Sequence, residues 1–238
     1  MADEEIGSPT SRALIEETAK GAKYALVLEP ARADGSAVTA RKAVGRFVLE
    51  VEGVAAHAGV NHQKGRNAVA ELARQALALE AMTDYARGIT VNVGVASGGT
   101  VGFANVVPAN ARAEIDFRCP DEATSRELVD RVMSLKPMGK DVTIKYQGGV
   151  NRPAYVRTDG IARLFEHAKD LAGEIGFALT ETPTGGGSDG NFTAALGIPT
   201  LDGLGAIGDG AHAEHEHILY SSLEPRTKLI LRLLETLE

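Results

Sequence analysis

Residues 42–54, KAVGRFVLEVEGV, alternate apolar and polar side chains over a full strand length. A period of two is what a sheet with one face in the core and one in water requires. Just upstream, residues 24–30, YALVLEP, form a continuous apolar run ended by Pro30. That texture belongs to a buried strand of a mostly parallel sheet. The change near residue 42 therefore marks a boundary between two kinds of sheet. Beyond it, residues 66–83 read as a long Ala/Leu-rich helix, 88–97 and 105–120 as alternating strands, 121–135 as a capped helix and 141–149 as a closing strand. Strand, helix, strand, strand, helix, strand is the ferredoxin-like order.

After Pro153 the first texture returns. Residues 159–176 predict a helix ended by Gly176, and residues 184–190, TGGGSDG, a glycine-rich loop running into a helix. Residues 221–238 predict a terminal amphipathic helix. Near the start, PTSRALIEETAK (9–20) reads as a cap followed by a helix. The expectation is an α/β protein whose first domain is split between residues 1–41 and 154–238, with an α+β insert over 42–153.

Composition narrows the function. Apolar residues make up 44% of 238, enough for a packed core and too many for a disordered chain. The net charge of −7 argues against nucleic acid and against polybasic docking to membranes. No apolar run approaches the ~20 residues of a membrane span, and the acidic start MADEEIGSP is no secretory signal. The single cysteine, Cys119, excludes an internal disulfide and fits a reducing compartment such as the cytoplasm. Without tryptophan and with 5% aromatics, the chain offers little on which bases would stack.

The chemistry-bearing residues fall in short stretches. Asp3, Glu4 and Glu5 open the chain. In an extended segment neighbours point to opposite faces, so one of Glu4 and Glu5 is placed to ligate a cation while the other serves a metal-bound water as base. Acidic pairs are common on surfaces, and the same cluster also reads as a solvated acidic face. Glu29 ends the apolar run, and His212 follows Gly210-Ala211 in a loop. Carboxylates with an imidazole suit divalent ions such as Zn²⁺. His215 and His217 lack the spacing of helical zinc ligands and read as an exposed turn. TGGGSDG offers backbone N–H groups to a carboxylate or oxyanion, or is a loop with Ser188 or Asp189 as helix cap. His57 in AAHAG, with Asn105, Arg118 and Arg152 at strand ends, supplies donors for a carboxylate-bearing substrate.

DEEIGSPTSRALIEE, YALVLEP, AAHAG, NVVPA, NRPAY, TGGGSDG and GAHAEH, in this order, resemble the dinuclear zinc peptidase/deacylase family. That family includes glutamate carboxypeptidase, acetylornithine deacetylase, succinyl-diaminopimelate desuccinylase and aminoacylase, and the glutamate carboxypeptidase branch is the most similar. The resemblance implies two Zn²⁺ per site, with Glu5 and His212 on one ion and Glu29 on the other. It implies Glu4 as general base and His57 as the lid histidine that polarises the scissile carbonyl, commonly across a dimer. Asn105, Arg118, Arg152, Gly186 and Gly187 then face the substrate, an N-acyl amino acid or small peptide with a free carboxylate. The insert becomes a lid through which two chains form a homodimer. Members also carry a His-x-Asp motif and a bridging Asp upstream, where this sequence has only Met1 and Ala2 before the acidic cluster. Both ligand sets are then incomplete. The expectation is a metallo-hydrolase impaired by truncation, with a non-catalytic dimerisation module or a gene fragment as the alternatives.

Overall fold

The computed structural model describes residues 3–237; Met1 and Ala2, and the reading placed on them, lie outside that range. After a 3₁₀ turn at Glu4–Ile6, the elements in chain order are α1 (Arg12–Ala19), β1 (Ala25–Leu26), β2 (Ala37–Arg41), β3 (Ala43–Glu52), β4 (Ala56–His57), α2 (Ala68–Glu80), β5 (Thr90–Gly98), β6 (Val106–Val107), β7 (Asn110–Cys119), α3 (Glu122–Met133), β8 (Thr143–Arg152), α4 (Asp159–Ile175), β9 (Glu181–Thr184), α5 (Gly190–Ala195), β10 (Thr200–Leu201), β11 (Gly208–Asp209), β12 (His217–Ile218) and α6 (Leu223–Thr236). The chain divides into two compact units. One takes the described residues up to Lys42 and from Arg152 onward; the other is Ala43–Asn151.

In the first unit the pairings β1 with β10 and β2 with β9 are parallel. α4 buries Ile161, Leu164, Phe165, Ala168 and Leu171, a three-and-four spacing that gives one apolar stripe. Thr158 caps its start by accepting from the Ile161 N–H, and Gly176, at a φ of 105°, ends it. The stripe packs with Leu229 and Leu233 of α6 and with Leu201 of β10, all fully buried. The expected buried strand over residues 24–30 shrinks to two half-buried residues, and Leu28 is 60% exposed. The reason is local: among the described residues β1 has one paired neighbour, so its other edge and much of its apolar surface stay open.

The second unit carries a four-stranded sheet in the order β5-β7-β3-β8. Numbered within the unit as first to fourth, that order is second, third, first, fourth, which is the ferredoxin-like arrangement. β3 and β7 pair antiparallel without a slip from Ala43↔Cys119 to Glu52↔Asn110. Phe47, Leu49 and Val51 turn inward while Glu50 and Glu52 turn out, so the alternation in the sequence sets the register. Phe47 stacks on Phe117 with ring centroids 5.1 Å apart. Gly45 leaves room for that ring, since a Cβ there would lie 2.0 Å from it. The expected strand over 105–120 is interrupted instead. β6 and β7 flank Pro108, which has no N–H to give to a ladder. Among the described residues no helix is long and apolar enough to cross a membrane.

Candidate active site

The three opening acids have three different environments. The Asp3 carboxylate accepts from the backbone N–H and hydroxyl of Thr10 (2.8 and 2.7 Å) and from those of Ser11 (3.1 and 2.5 Å). Those donors, the Ser11 hydroxyl foremost, hold its pKa well below the ordinary carboxylate range. Asp3 therefore builds the entry to α1. Glu4 and Glu5 begin a 3₁₀ turn, not an extended segment. At about three residues per turn their side chains diverge by roughly 120° and meet different partners.

Glu4 meets Arg152. The guanidinium is 7% exposed, and its Nη2 donates to Glu4 Oε1 (2.7 Å), the Glu4 carbonyl (2.9 Å), Ser8 Oγ (3.2 Å) and Asp189 Oδ1 (3.2 Å). Ser8 in turn donates to Asp189 Oδ1 at 2.5 Å. Ser8 is fully buried and takes a left-handed backbone, at a φ of 55°, as it turns its hydroxyl to this cluster. The Arg152 guanidinium also lies over the Phe192 ring, at 5.6 Å. Its Nε is buried and has no hydrogen-bond partner among the described residues. Burial raises the Glu4 pKa, helped by the charges of Asp189 and Glu5 and opposed by Arg152 and Arg41.

Glu5 meets His212. Glu5 Oε2 and His212 Nε2 lie 3.6 Å apart, both well exposed. His212 sits in the loop of the β11–β12 hairpin, where Asp209 pairs with His217. Its φ of 64° is a second left-handed non-glycine backbone at this site, held where its N–H reaches Glu216 Oε2 (3.3 Å). His215 and His217 are exposed in the same hairpin. Glu29 lies past β1, and its carbonyl is fixed by the Gly205 N–H (2.9 Å). Its pKa is raised, first by burial and then by the charges of Glu4 and Asp202.

The glycine-rich loop is held from beneath by residues that sequence reasoning missed. Asp202, fully buried, accepts from Arg41 Nε (2.8 Å), Ser188 Oγ (2.5 Å) and the Gly203 N–H (2.5 Å). Arg41 also donates to the Gly186 carbonyl (3.1 Å). The N–H groups of Gly186, Ser188 and Gly190 are committed to Thr184 Oγ1, Asn191 Oδ1 and Ser188 Oγ, so they are not arrayed for an outside oxyanion. Neither is Asp189 a side-chain cap of α5; its carboxylate serves Ser8 and Arg152 instead. Gly190 permits this packing: a Cβ would lie 2.8 Å from Asp202 Oδ2.

In the second unit, β4 pairs with β6, and the Ala58 N–H donates to the Asn105 carbonyl (2.8 Å), so His57 and Asn105 are neighbours. His57 Nδ1 accepts from the Gly59 N–H (3.1 Å), which leaves the exposed Nε2 of a neutral ring as a donor. Arg118 is elsewhere. It lies at the far end of β7, about eight residues or ~27 Å along the strand from Asn110, paired to Asp116 at 2.8 Å.

The donor set is short for a complete metal centre. Glu5 and His212 are adjacent, Glu29 is within electrostatic influence of Glu4 and Glu5, and among the described residues no three His, Cys, Asp or Glu side chains form a group that holds a cation. A catalytic zinc takes three protein ligands and a water, so the two-ion set expected from the resemblance is not assembled by these residues.

A family model described as a peptidase dimerisation domain matches residues 39–135. Carboxypeptidase G2 of a Pseudomonas species is 32% identical over 239 residues, covering 98% of this chain and 57% of that protein. Succinyl-diaminopimelate desuccinylase of Coxiella burnetii is 31% identical over 140 residues, 57% of this chain and 36% of that protein. Among solved structures, the aminopeptidase PepT from Bacillus cereus is similar with a TM-score of 0.75 at 26% identity, covering 98% of this chain and 62% of its own. The chain thus spans little more than half the length of carboxypeptidase G2.

Proposed function

We propose a function from one premise: the chain belongs to the dinuclear zinc peptidase/deacylase family. The reaction we infer is hydrolysis of the amide bond in an N-acyl amino acid or small peptide that carries a free carboxylate. The observation that carries this reading is Arg152, a buried guanidinium with an unpartnered Nε beside an Nη2 that rests on Glu4. Carboxylates prefer such a fork in bidentate fashion. A substrate carboxylate arriving on Nε and Nη2 competes with Glu4 for the same cation. Seating the substrate therefore releases Glu4, whose raised pKa suits a base that takes a proton from the attacking water. Ser8 and Asp189 hold the guanidinium in place during the exchange.

His57, with its Nε2–H directed outward, takes the part of donor to the developing oxyanion in an assembled homodimer. Asn105, Gly186 and Gly187 remain proposed substrate contacts, whereas Arg118, far along β7 and paired to Asp116, is left out of that set. Glu5 and His212 are proposed as two ligands of one Zn²⁺ and Glu29 as a ligand of a second, and a working centre needs further donors than these. The match over residues 39–135 supports homodimer formation through the second unit, and it also favours a second reading, a dimerisation module without catalysis.

Release of glutamate from N-acyl-L-glutamates, followed with and without added Zn²⁺, tests the proposal. Zinc-dependent turnover abolished by Glu4→Gln supports it. A stable dimer that releases no glutamate at any zinc concentration favours the module, and turnover that survives Glu4→Gln removes Glu4 from the reaction.

A further inference from the structure

The second unit contains a cationic cleft that the proposed reaction does not use. It has a volume of about 480 Å³ and lies between the loop entering α2 and the segment joining α3 to β8. Its lining includes His62, Arg66, Arg74 and Lys140. Three permanent cations and an imidazole gather there on a chain whose net charge is −7.

The acids nearby leave much of that charge available. Asp141 grips Arg66 through Nε (3.2 Å) and Nη2 (2.9 Å), and the remaining nitrogen of Arg66 donates to the carbonyls of Gln63 (3.1 Å) and Gly65 (2.8 Å). Arg66 is thereby a fixed wall. Glu71 is fully buried and saturated by shorter bonds from Gln75 Nε2 (2.7 Å), the Met138 N–H (2.9 Å) and the Gly139 N–H (2.7 Å). Its approach to Arg74 is 3.5 Å, too long for a strong bond. Arg74 is half exposed and keeps most of its donors, while the side chains of Lys140 and His62 meet no partner among the described residues.

The floor of the cleft is built, not loose. By pinning the backbone of Met138 and Gly139, Glu71 fixes where Lys140 emerges beside Arg74. Gly139 fits closely there: a Cβ would lie 3.1 Å from Glu71 Oε2, a tight contact, and 3.5 Å from Arg74 Nη1. A guanidinium and an ammonium lining one concave site are donors of the kind that hold a carboxylate or phosphate group. The chain's overall negative charge and the absence of aromatic side chains from the lining turn away a nucleic-acid polymer.

The structure assigns to this cleft a binding site for a small multivalent oxyanion, phosphate or polycarboxylate, contacted by Arg74 and Lys140. Its test is calorimetric titration of the full chain with inorganic phosphate and, separately, with citrate, at an ionic strength held constant with chloride. Saturable binding is expected for at least one, and which one identifies the class. The double substitution Arg74→Ala with Lys140→Ala should weaken it by about tenfold or more, as loss of charge-assisted bonds does. Arg74→Lys should retain part of the affinity, and Lys145→Ala, exposed on β8 outside the cleft, should leave it unchanged. Circular dichroism of each variant confirms that the fold is kept. Heat that never saturates, an equal response to chloride, or unaltered affinity in the folded double variant overturns the assignment.

Discussion

Replacing Arg41 by methionine removes the cation from a buried pair and leaves its partner behind. Arg41 is 9% exposed in its side chain and Asp202 is not exposed at all. Breaking a buried ion pair from one side commonly costs about 3–5 kcal/mol, because a charge is left uncompensated. Asp202 keeps two short hydrogen bonds, from Ser188 and Gly203, so the lower end, about 3 kcal/mol, is expected. The lost bond to the Gly186 carbonyl adds about 1 kcal/mol or less. The penalty should also grow with pH. Arg41 holds down the pKa values of Glu4 and Glu29, and without it both carboxylates are harder to ionise in the folded state. Urea titration followed by hydrogen exchange resolves the change, with segments of α4 and α6 as reporters and segments within Ala43–Asn151 as internal reference. Adding Asp202→Asn to Arg41→Met should restore most of the loss by removing the stranded charge. A loss under about 1 kcal/mol, or no recovery in the double variant, refutes a buried pair of this strength.

Other outcomes follow from the same geometry. The folded-state pKa of Glu29 is raised above its ordinary 4.5 by burial and neighbouring acids. Its ionisation therefore opposes folding at pH above that raised value, and the penalty fades as pH falls toward 4.5. Glu29→Gln should raise the melting temperature at pH 8 and have little effect near pH 5; an equal effect at both contradicts the sign. Gly190→Ala pushes a methyl group to 2.8 Å from Asp202 Oδ2 and 3.1 Å from Ser188 Oγ, so a loss of about 1–3 kcal/mol is expected in urea unfolding. A neutral result there means that the loop is not packed as tightly as described.

The ferredoxin-like order of the second unit was legible because its strands are amphipathic, as in Phe47, Leu49 and Val51 against Glu50 and Glu52, and because Asp121 announces its helix as a cap. The break at Pro108 is equally readable from the missing N–H. The first unit was harder. An apolar run such as YALVLEP does not reveal how many neighbours a strand has, and here β1 has one. In the candidate site, Glu4, Glu5 and His212 stood out as types that bind protons and metals, but pairing was invisible: nothing in the sequence says that Glu4 meets Arg152 or that Glu5 meets His212. Ser8, Asp189, Asp202 and Arg41 act through contacts 14 to 181 residues apart in sequence. The one hint was an acid, Asp202, directly after the apolar strand IPTL and before Gly203.

Calorimetric titration with N-acetyl-L-glutamate, comparing the unaltered chain with Glu4→Gln and Arg152→Met, tests most directly whether Arg152 is a carboxylate seat that Glu4 occupies while it waits. Glu4→Gln removes the internal competitor and should tighten the ligand by about tenfold, the worth of one charge-assisted hydrogen bond, while Arg152→Met should abolish binding. Weaker binding in Glu4→Gln, or binding that persists in Arg152→Met, contradicts the exchange on which the proposed reaction turns.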